Sequence, residues 1–552
     1  MGLGSCRTIA LDGVIAREVT IEANVGPGLP GIHVVGLADT AITESRARIR
    51  TAVNNTRLPW PRTKVVVSLT PASMPKSGAH FDLPMALAIL TANMAGWQGD
   101  VAAQGWPAER DSEPQPDLAD SAAPRERLDT ALVLGELGLD GSVRPVSGIV
   151  PAMLAAKEKG YDTLVIPPAN AAEALLVPGL DVLVAATLVD AFAWVTGYRR
   201  LPTAAEAARY TPATAERGSQ STGMQEDVDF ADIAGQREAK TAAEVAAAGG
   251  HHLFLTGPPG SGKSMIAARM PGILPPLTAK ETMEATAIHS IVGAPGHVVD
   301  APPFIAPHAS LTRAALLGGG PGIPRPGAVS LAHTGVLFLD EVSEIPAAVL
   351  DGLRTPLEER RVRIVRARRE VEFPARFQLV LAANPCRCAA EDPTKCTCTA
   401  HHRREYLRNL SGPLRDRLDM VVRLSQQSAV ISADGEESTA DIRQRVCAAR
   451  ERAAHRWQAD GLTARHNAAV SSSYLRRHRP ADDAAMAMLS AYLAAGDMSQ
   501  RGIDRCLKLA WTLYDLDGEA AASTPGASAP RPNIDHVARA MHLRGDQVMA
   551  GE

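Results

Sequence analysis

Four short runs near the start of the chain gather β-branched and apolar side chains: TIALDGVIAREVTIEANV, TKVVVSLT, DTLVIP and LDVLVAA. Turn-forming or polar residues bound them, and Ala-rich stretches at helical spacing lie between them. Residues 1 to about 200 therefore predict a first domain of mixed strands and helices. Inside it, residues 98–128 (beginning QGDVAAQGWPAERDSEPQPD) are polar, acidic and Pro-rich, which predicts a mobile surface insert. Residues 201–226 have linker composition. From 227 to 435 apolar strand-like runs return (LFLT, VLFL, QLVLA), again separated by helical stretches. From 436 to 552 the pattern is helical, broken by the Pro/Ser-rich ASTPGASAPRPN. The expected fold class is multidomain α/β with a helical C-terminal part.

Composition narrows this only a little. With 552 residues, a net charge of −4 and 45% hydrophobic residues, the chain reads as an ordinary globular protein, so any polyanion site must be local. The N-terminus lacks a basic-then-apolar leader pattern, and no apolar run is long enough to span a bilayer. The expectation is a cytoplasmic protein without a membrane partner. Four of the seven cysteines fall within residues 386–398, which in a reducing compartment suggests metal before disulfide.

Each apolar run of the middle block ends in chemistry. LFLT leads into GPPGSGKS: Gly257, Pro258, Pro259, Gly260, Ser261, Gly262, Lys263 and Ser264. The glycines let backbone N–H groups curl around phosphates, Lys263 reaches the β- and γ-phosphates, and Ser264 holds Mg²⁺. The strand before and helix after make this a strong signal for ATP with Mg²⁺. VLFL ends in Asp340 and Glu341, which suit a magnesium ligand acting through water and a carboxylate that polarises the attacking water. FQLVLAANP ends in Asn384, able to sense the γ-phosphate or position the water; by itself it would be only a turn residue before a proline. LSGPLRDRLDM supplies Arg415 and Arg417, either of which suits an arginine offered to a neighbouring subunit's nucleotide.

Two further clusters stand out. Cys386, Cys388, Cys396 and Cys398 form two C-x-C pairs, enough for one closed structural Zn²⁺ site; His401 and His402 follow and offer alternative ligands. Residues 360–369 hold six arginines, and the alternation in RVRI is of β type, so a hairpin should present Arg366, Arg368 and Arg369 at or near its tip. Such a tip would grip single-stranded or branched DNA through its phosphates without reading sequence. The plain reading is a solvated hairpin paired with its own acids, Glu358, Glu359, Glu370 and Glu372. The insert LLGGGPGIPRPG (316–327) has Arg325 as its only charge and is a second candidate DNA contact, although its glycines equally suit mobility alone.

The order DFADIAGQREAK, P-loop, FIAPHASLTRAALLGGGPGIPRPGAVSLAHTGVLFLDE, arginine hairpin, AANPCRC and LSGPLRDRLD resembles the AAA+ ATPases, and within them the magnesium-chelatase-like ComM/YifB family, over essentially the whole chain. The resemblance implies an AAA+ P-loop α/β core (227–435) under a helical lid (436–552), a ring hexamer, Asp229–Gln236 beside the adenine, Asn384 as first sensor and Arg501 as second. It assigns the arginine finger to Arg417, with Arg415 the alternative. It implies action in DNA branch migration during recombination or transformation.

The first block resembles the proteolytic domain of Lon, of the S5-like α+β fold. In PKSGAHFD the nucleophile's place falls on His80, with Ser77 nearby before the glycine. In the second signature (135–170) the catalytic lysine's place falls on Val150. Val has no amine to serve as base, and Lys76 and Lys157 stand elsewhere, so the block reads as a non-proteolytic module. Three functions follow in order: a DNA motor of helicase type, a chelatase-type remodelling or metal-insertion ATPase, and an ATP-dependent serine–lysine protease.

Overall fold

The structure, a computed structural model, describes residues 2–36, 40–72, 74, 76, 78–94, 124–210, 228–293, 295–320, 324–366, 369–388, 390, 396–399, 401–402, 406–425, 436–518 and 531–545. Residues 98–123 of the expected insert and 211–226 of the expected linker lie outside them, but the described remainders are not insert or linker: Pro124–Thr130 and Ala204–Tyr210 are helices, with Leu128, Leu201 and Ala204 buried in the first unit. The chain forms two compact units: Met1–Ser221 with Ala279–Val299, and Thr222–Thr278 with Asp300–Glu552. The first unit thus takes in a stretch, 279–299, that the sequence pattern groups with the ATPase core.

The first unit is built on a seven-stranded mixed sheet. Its strands are β1 (Gly2–Asp12), β2 (Ile15–Gly26), β3 (Gly31–Val35), β4 (Lys64–Thr70), β5 (Ala131–Val133), β8 (Thr163–Ile166) and β9 (Asp181–Val184), in the order β3-β4-β2-β1-β5-β8-β9. A small antiparallel pair, β6 (Glu136–Leu137) and β7 (Val143–Arg144), lies outside this sheet. The run TIALDGVIAREVTIEANV folds back on itself as the antiparallel pair β1–β2, in register from Gly2↔Val25 to Asp12↔Ile15. Both faces are covered. The helix Asp82–Met94 is buried from Asp82 to Ala92, which explains a sequence apolar all round rather than striped. It lies so close to β1 that a Cβ on Gly4 would meet the Ala88 carbonyl at 2.3 Å.

On the other face Ile9 and Leu132 join the helix Ile149–Lys159 in a second core, which Ala287 of the helix Ala279–His289 completes. Gly296 then turns (φ 82°) against the Ala169 carbonyl, where any Cβ would sit 2.0 Å away. Its N–H donates to Glu173 Oε1 at 3.2 Å.

The second unit holds a five-stranded, wholly parallel sheet. Its strands are β10 (Leu253–Thr256), β11 (Phe304–Ile305), β14 (Val336–Leu339), β17 (Gln378–Ala383) and β18 (Met420–Arg423), in the order β11-β14-β17-β10-β18. Every residue of β10, β14 and β17 is buried, so these strands read as unbroken apolar runs, as strands covered on both faces do. Two hairpins accompany the sheet: β12 (Gly318–Gly319) with β13 (Arg325–Pro326), and β15 (Arg361–Arg366) with β16 (Arg369–Pro374). Beyond 436 the described residues are helical. Helices Thr439–Ala459 and Gln500–Asp517 pack their apolar faces on the helix Arg237–Gly249 through Val446, Ala449, Cys506 and Leu509.

Glu173 yields a prediction about the first unit. Its side chain is fully buried, bonded to Asn170 and Gly296, and its Oε2 has no partner among the described residues. Burial pushes its pKa up to about 7, against about 4.3 unfolded. Between those values the folded state keeps a proton that the unfolded chain has lost, so stability falls as pH rises from about 4.5 to 7 and is level above. The loss is on the order of 3 kcal/mol. Glu173→Gln keeps the acceptor without the charge. Thermal melting from pH 5 to 8 should show a smaller decline than wild type and a higher melting temperature at pH 8. Parallel pH profiles would remove Glu173 as the cause.

Candidate functional site

The site is built at the carboxyl ends of β10, β17 and β14, where strand order reverses and an α/β sheet opens a crevice. β10 ends at Thr256 and the chain turns through Gly257–Gly262. Gly260 (φ 72°) and Gly262 (φ 89°) take left-handed backbone there, and the helix Lys263–Ile273 starts at once. Gly257 must lack a side chain for another reason: a Cβ would meet the Leu424 carbonyl, just past β18, at 2.7 Å.

Lys263 is buried, and its Nζ donates to the carbonyls of Gly257 (2.8 Å) and Pro258 (2.9 Å) and to Asn384 Oδ1 (3.1 Å). Burial lowers its pKa while the Asp340 charge acts to raise it. The ammonium stands at the head of a helix N-terminus, the place that favours a phosphate. Phosphate oxygens are charged acceptors and stronger partners than the carbonyls it now holds.

Asn384 reaches Lys263 because β17 is the direct neighbour of β10, Ala383 opposite Thr256. Asp340 follows β14, the next strand out. Its Oδ2 accepts from Ser264 Oγ at 2.7 Å, so both expected magnesium ligands meet at one point. The two oxygens fit neighbouring positions around an octahedral Mg²⁺ or its bound water. Glu341 is exposed and sits in left-handed backbone (φ 47°), uncommon for a residue with a Cβ. Its turn is clasped on two sides. Val342 N–H donates to Ala382 O of β17 at 3.0 Å, and Asn409 Nδ2 donates to Ser343 O at 2.6 Å. Tyr406 also lies against Ser343 and Glu344, with burial raising its pKa. Asn409 and Tyr406 carry no motif; only the folded loop brings them here.

Asp229 caps the turn at Phe230 and accepts from the N–H (2.6 Å) and Oγ1 (3.0 Å) of Thr439; Arg269, on the P-loop helix, pairs with Asp232 at 3.0 Å. The Asp229–Gln236 segment is thereby tied to both the P-loop helix and the first C-terminal helix. Arg501 is exposed and pairs with Asp416 at 3.0 Å, a weak surface contact. Arg417 is mostly covered, bonded to the Glu358 carboxylate and to Pro413 O (2.5 Å); Arg415 Nε donates to Leu410 O at 2.9 Å. Both candidate fingers are thus engaged within their own chain.

The four cysteines converge. Cys386 Sγ lies 3.1 Å from Cys388 Sγ and 3.4 Å from Cys396 Sγ, and all four sulfurs, Cys398 included, fall within 4.8 Å of one another. Four thiolates on one zinc at about 2.3 Å would stand about 3.8 Å apart, so the set fits the ion without help from His401 or His402. Burial pushes the Cys386 thiol up to about 12, while hydrogen bonds led by that from Cys386 hold Cys388 down to about 6.

The hairpin forms as expected, with Arg366 paired to Arg369; Arg368 lies outside the described residues. Arg361 and Arg363 are taken up by Glu359, Glu370 and Glu372 at 2.9–3.8 Å. Ile364 lies where a Cβ on Gly318 would reach it at 2.9 Å, so the two hairpins adjoin. In the first unit, His80 Nε2 is 2.9 Å from Ile9 O and Val150 is wholly buried among apolar side chains. Lys76 and Lys157 give their amines to backbone carbonyls, Leu69 O (3.1 Å) and Pro178 O (2.8 Å). Ser77 lies outside the described residues.

Family models match along the chain: magnesium chelatase, subunit ChlI, over residues 229–431; subunit ChlI of Mg-chelatase over 21–103 and 118–170; and the ChlI C-terminal model over 436–544. The chain is 36% identical over 530 residues to competence protein ComM of Haemophilus influenzae, covering 95% of this chain and 96% of that one. It is 34% identical to YifB of Escherichia coli, covering 94% of each. It is 45% identical to an uncharacterized protein of Mycobacterium tuberculosis, covering 99% of each.

The cysteine cluster gives this site's prediction. Protein purified without chelators should carry about one zinc per chain, and Cys396→Ser with Cys398→Ser should lose it. Elemental analysis that finds no zinc in the wild type would refute the assignment.

Proposed function

The chain belongs to the magnesium-chelatase-like ComM/YifB family, and from that membership we propose that it is an ATP-hydrolysing, ring-forming motor that acts on DNA. The observation that carries the ATPase is the meeting of Lys263, Asn384, Ser264 and Asp340 at three adjacent strand ends. On this reading Lys263 and the loop N–H groups bind the β- and γ-phosphates. Ser264 and Asp340 would hold Mg²⁺, which neutralises charge on the phosphates. Glu341 orients and polarises the attacking water, and Asn384 reports the γ-phosphate to β17. Arg417, or Arg415, acts in the neighbouring subunit's site, and Arg501 acts from the helical part. The Glu358 contact of Arg417 has to open for that role. A hexamer is the assembly that gives each site such a neighbour.

The DNA reading rests on the second hairpin. Its base is anchored by Val362, Val371 and Phe373 in the core, and its lower arginines are neutralised by its own glutamates. The backbone register of the hairpin closes at Arg366 and Arg369, and these two with Arg368 are the cations that would hold phosphates of single-stranded or branched DNA without regard to sequence. Branch migration is the motor task we favour, and one relative's name, competence protein, agrees with it. Chelatase-type remodelling of a protein or metal-insertion partner is the second reading, favoured by the chelatase models that match all three parts of the chain. Peptide cleavage is disfavoured: His80 and Val150 occupy the places of nucleophile and base, and both are buried.

Lys263→Ala should lower ATP turnover at least about a hundredfold, as loss of a transition-state charge contact does. Glu341→Gln should bind ATP at wild-type affinity yet not turn it over. Normal turnover in the Gln variant would remove Glu341 from the mechanism.

Changing Arg366, Arg368 and Arg369 together to Ala should abolish stimulation of the ATPase by forked DNA while basal ATPase persists. The salt dependence of single-strand binding should flatten by about 2 in log–log slope. Forked-DNA binding that matches wild type across a salt series would rule the hairpin out as the grip. No DNA binding by the wild type would favour the chelatase-type reading.

A further inference from the structure

Residues 45–64 (SRARIRTAVNNTRLPWPRTK) hold six cations and no acid, in a chain whose net charge is −4. They span the end of the helix Thr40–Asn55, a turn and the start of β4. Among the described residues, only Arg48 is neutralised, by Asp82 at 2.8 Å, and Arg46 lies on the carbonyls of Thr43 (3.1 Å) and Ile32 (3.4 Å). Arg50, Arg57, Arg62 and Lys64 are exposed, and their side chains have no ion-pair or hydrogen-bond partner among the described residues.

Between Arg50 and Arg62 is a cavity of about 250 Å³, lined also by Pro30, Ile32, Trp60 and Pro61, with no carboxylate in its wall. Lys64 stands opposite Gly31 of the same wall across the β3–β4 pair. Trp60 is half-buried and set between two prolines, whose rings fix the backbone. Asn93 holds the segment from behind, donating to Pro59 O at 3.0 Å. The indole is therefore a fixed platform with unpaired guanidinium groups beside it.

We propose that this cavity is a second nucleic-acid site, which stacks a base of single-stranded DNA on Trp60 while Arg50, Arg62 and Lys64 take the flanking phosphates. A strand of DNA alternates flat bases with charges, and the wall alternates a flat ring with cations. An acidic peptide would meet the charges but leave the ring unused. The inference shares its ligand with the DNA reading above and uses none of the hairpin's residues.

The test is binding of a fluorescein-labelled twenty-residue oligo-dT to the full chain, followed by anisotropy across a salt series. Trp60→Ala should weaken binding about tenfold or more, and Trp60→Phe, which keeps a ring, should stay near wild type. Arg50→Ala, Arg62→Ala and Lys64→Ala together should flatten the log–log salt slope by about 2. Basal ATPase should not change, and the three exposed cations can be removed without moving the melting temperature; Trp60 packs against the first unit's core, so Trp60→Phe, which keeps that packing, is the control for its fold. Wild-type affinity in Trp60→Ala overturns this site alone. Absence of binding by the wild type overturns it together with the DNA motor. Displacement of the oligonucleotide by polyglutamate as readily as by unlabelled oligo-dT assigns the patch to acidic proteins instead.

Discussion

A buried ammonium needs acceptors, and those of Lys263 come from two places that only the folded sheet brings together: the loop after β10 and the end of β17. That requirement organises the second unit. β17 must lie beside β10 for Asn384 to reach the amine, and β14 must lie beside β17 for Asp340 to reach Ser264. Gly257 must have no side chain because Leu424 closes over the loop from the other flank. The helix that carries Lys263 then has its N-terminus aimed at the same point as the amine, so that charge and dipole act on one anion.

The left-handed backbone at Glu341 is a second constraint on the same site. Such a conformation costs on the order of 1–3 kcal/mol at a residue with a Cβ and persists only where the surroundings over-determine it. Two contacts do so: Val342 on β17 and Asn409 on Ser343. The chain between Asn384 and Asn409 contains all four clustered cysteines. A metal bound there would fix that excursion at its middle, while its two ends touch Lys263 and the turn after Glu341. The cysteine cluster thus bears on both residues that face the γ-phosphate on the proposed reading, without touching either.

The sequence made legible what local pattern encodes. Apolar runs closed by Lys263, Asp340 and Asn384 gave three strands, and the glycines between β10 and its helix gave the loop. The arginine hairpin was readable from its alternation. Long-range pairing was not. MVVR, four residues with no turn signal of its own, is β18 on the other flank of β10. Residues 279–299 belong to the first unit because Ala287 and Gly296 fit partners there, which spacing alone does not reveal. The acids that take up Arg361, Arg363 and Arg417 were visible as residues, but which arginine each would claim depends on register and on contacts across the fold.

Most arginines with a role in packing are matched: Arg48 with Asp82, Arg269 with Asp232, Arg456 with Asp515, Arg479 with Asp460, Arg505 with Asp419. A matched pair has little far field, and in a chain of slightly negative net charge the attraction for a polyanion must come from the cations left over. Like charges left side by side repel one another, a small but real loss of stability that folding does not require. In the first unit such cations gather around Trp60, within a stretch that offers no acid to any of them. An isolated unpaired arginine needs no explanation on a protein surface. Two unpaired arginines beside a half-exposed indole, with Lys64 across the adjoining strand pair, are better explained by a ligand that supplies both the missing charges and a flat face.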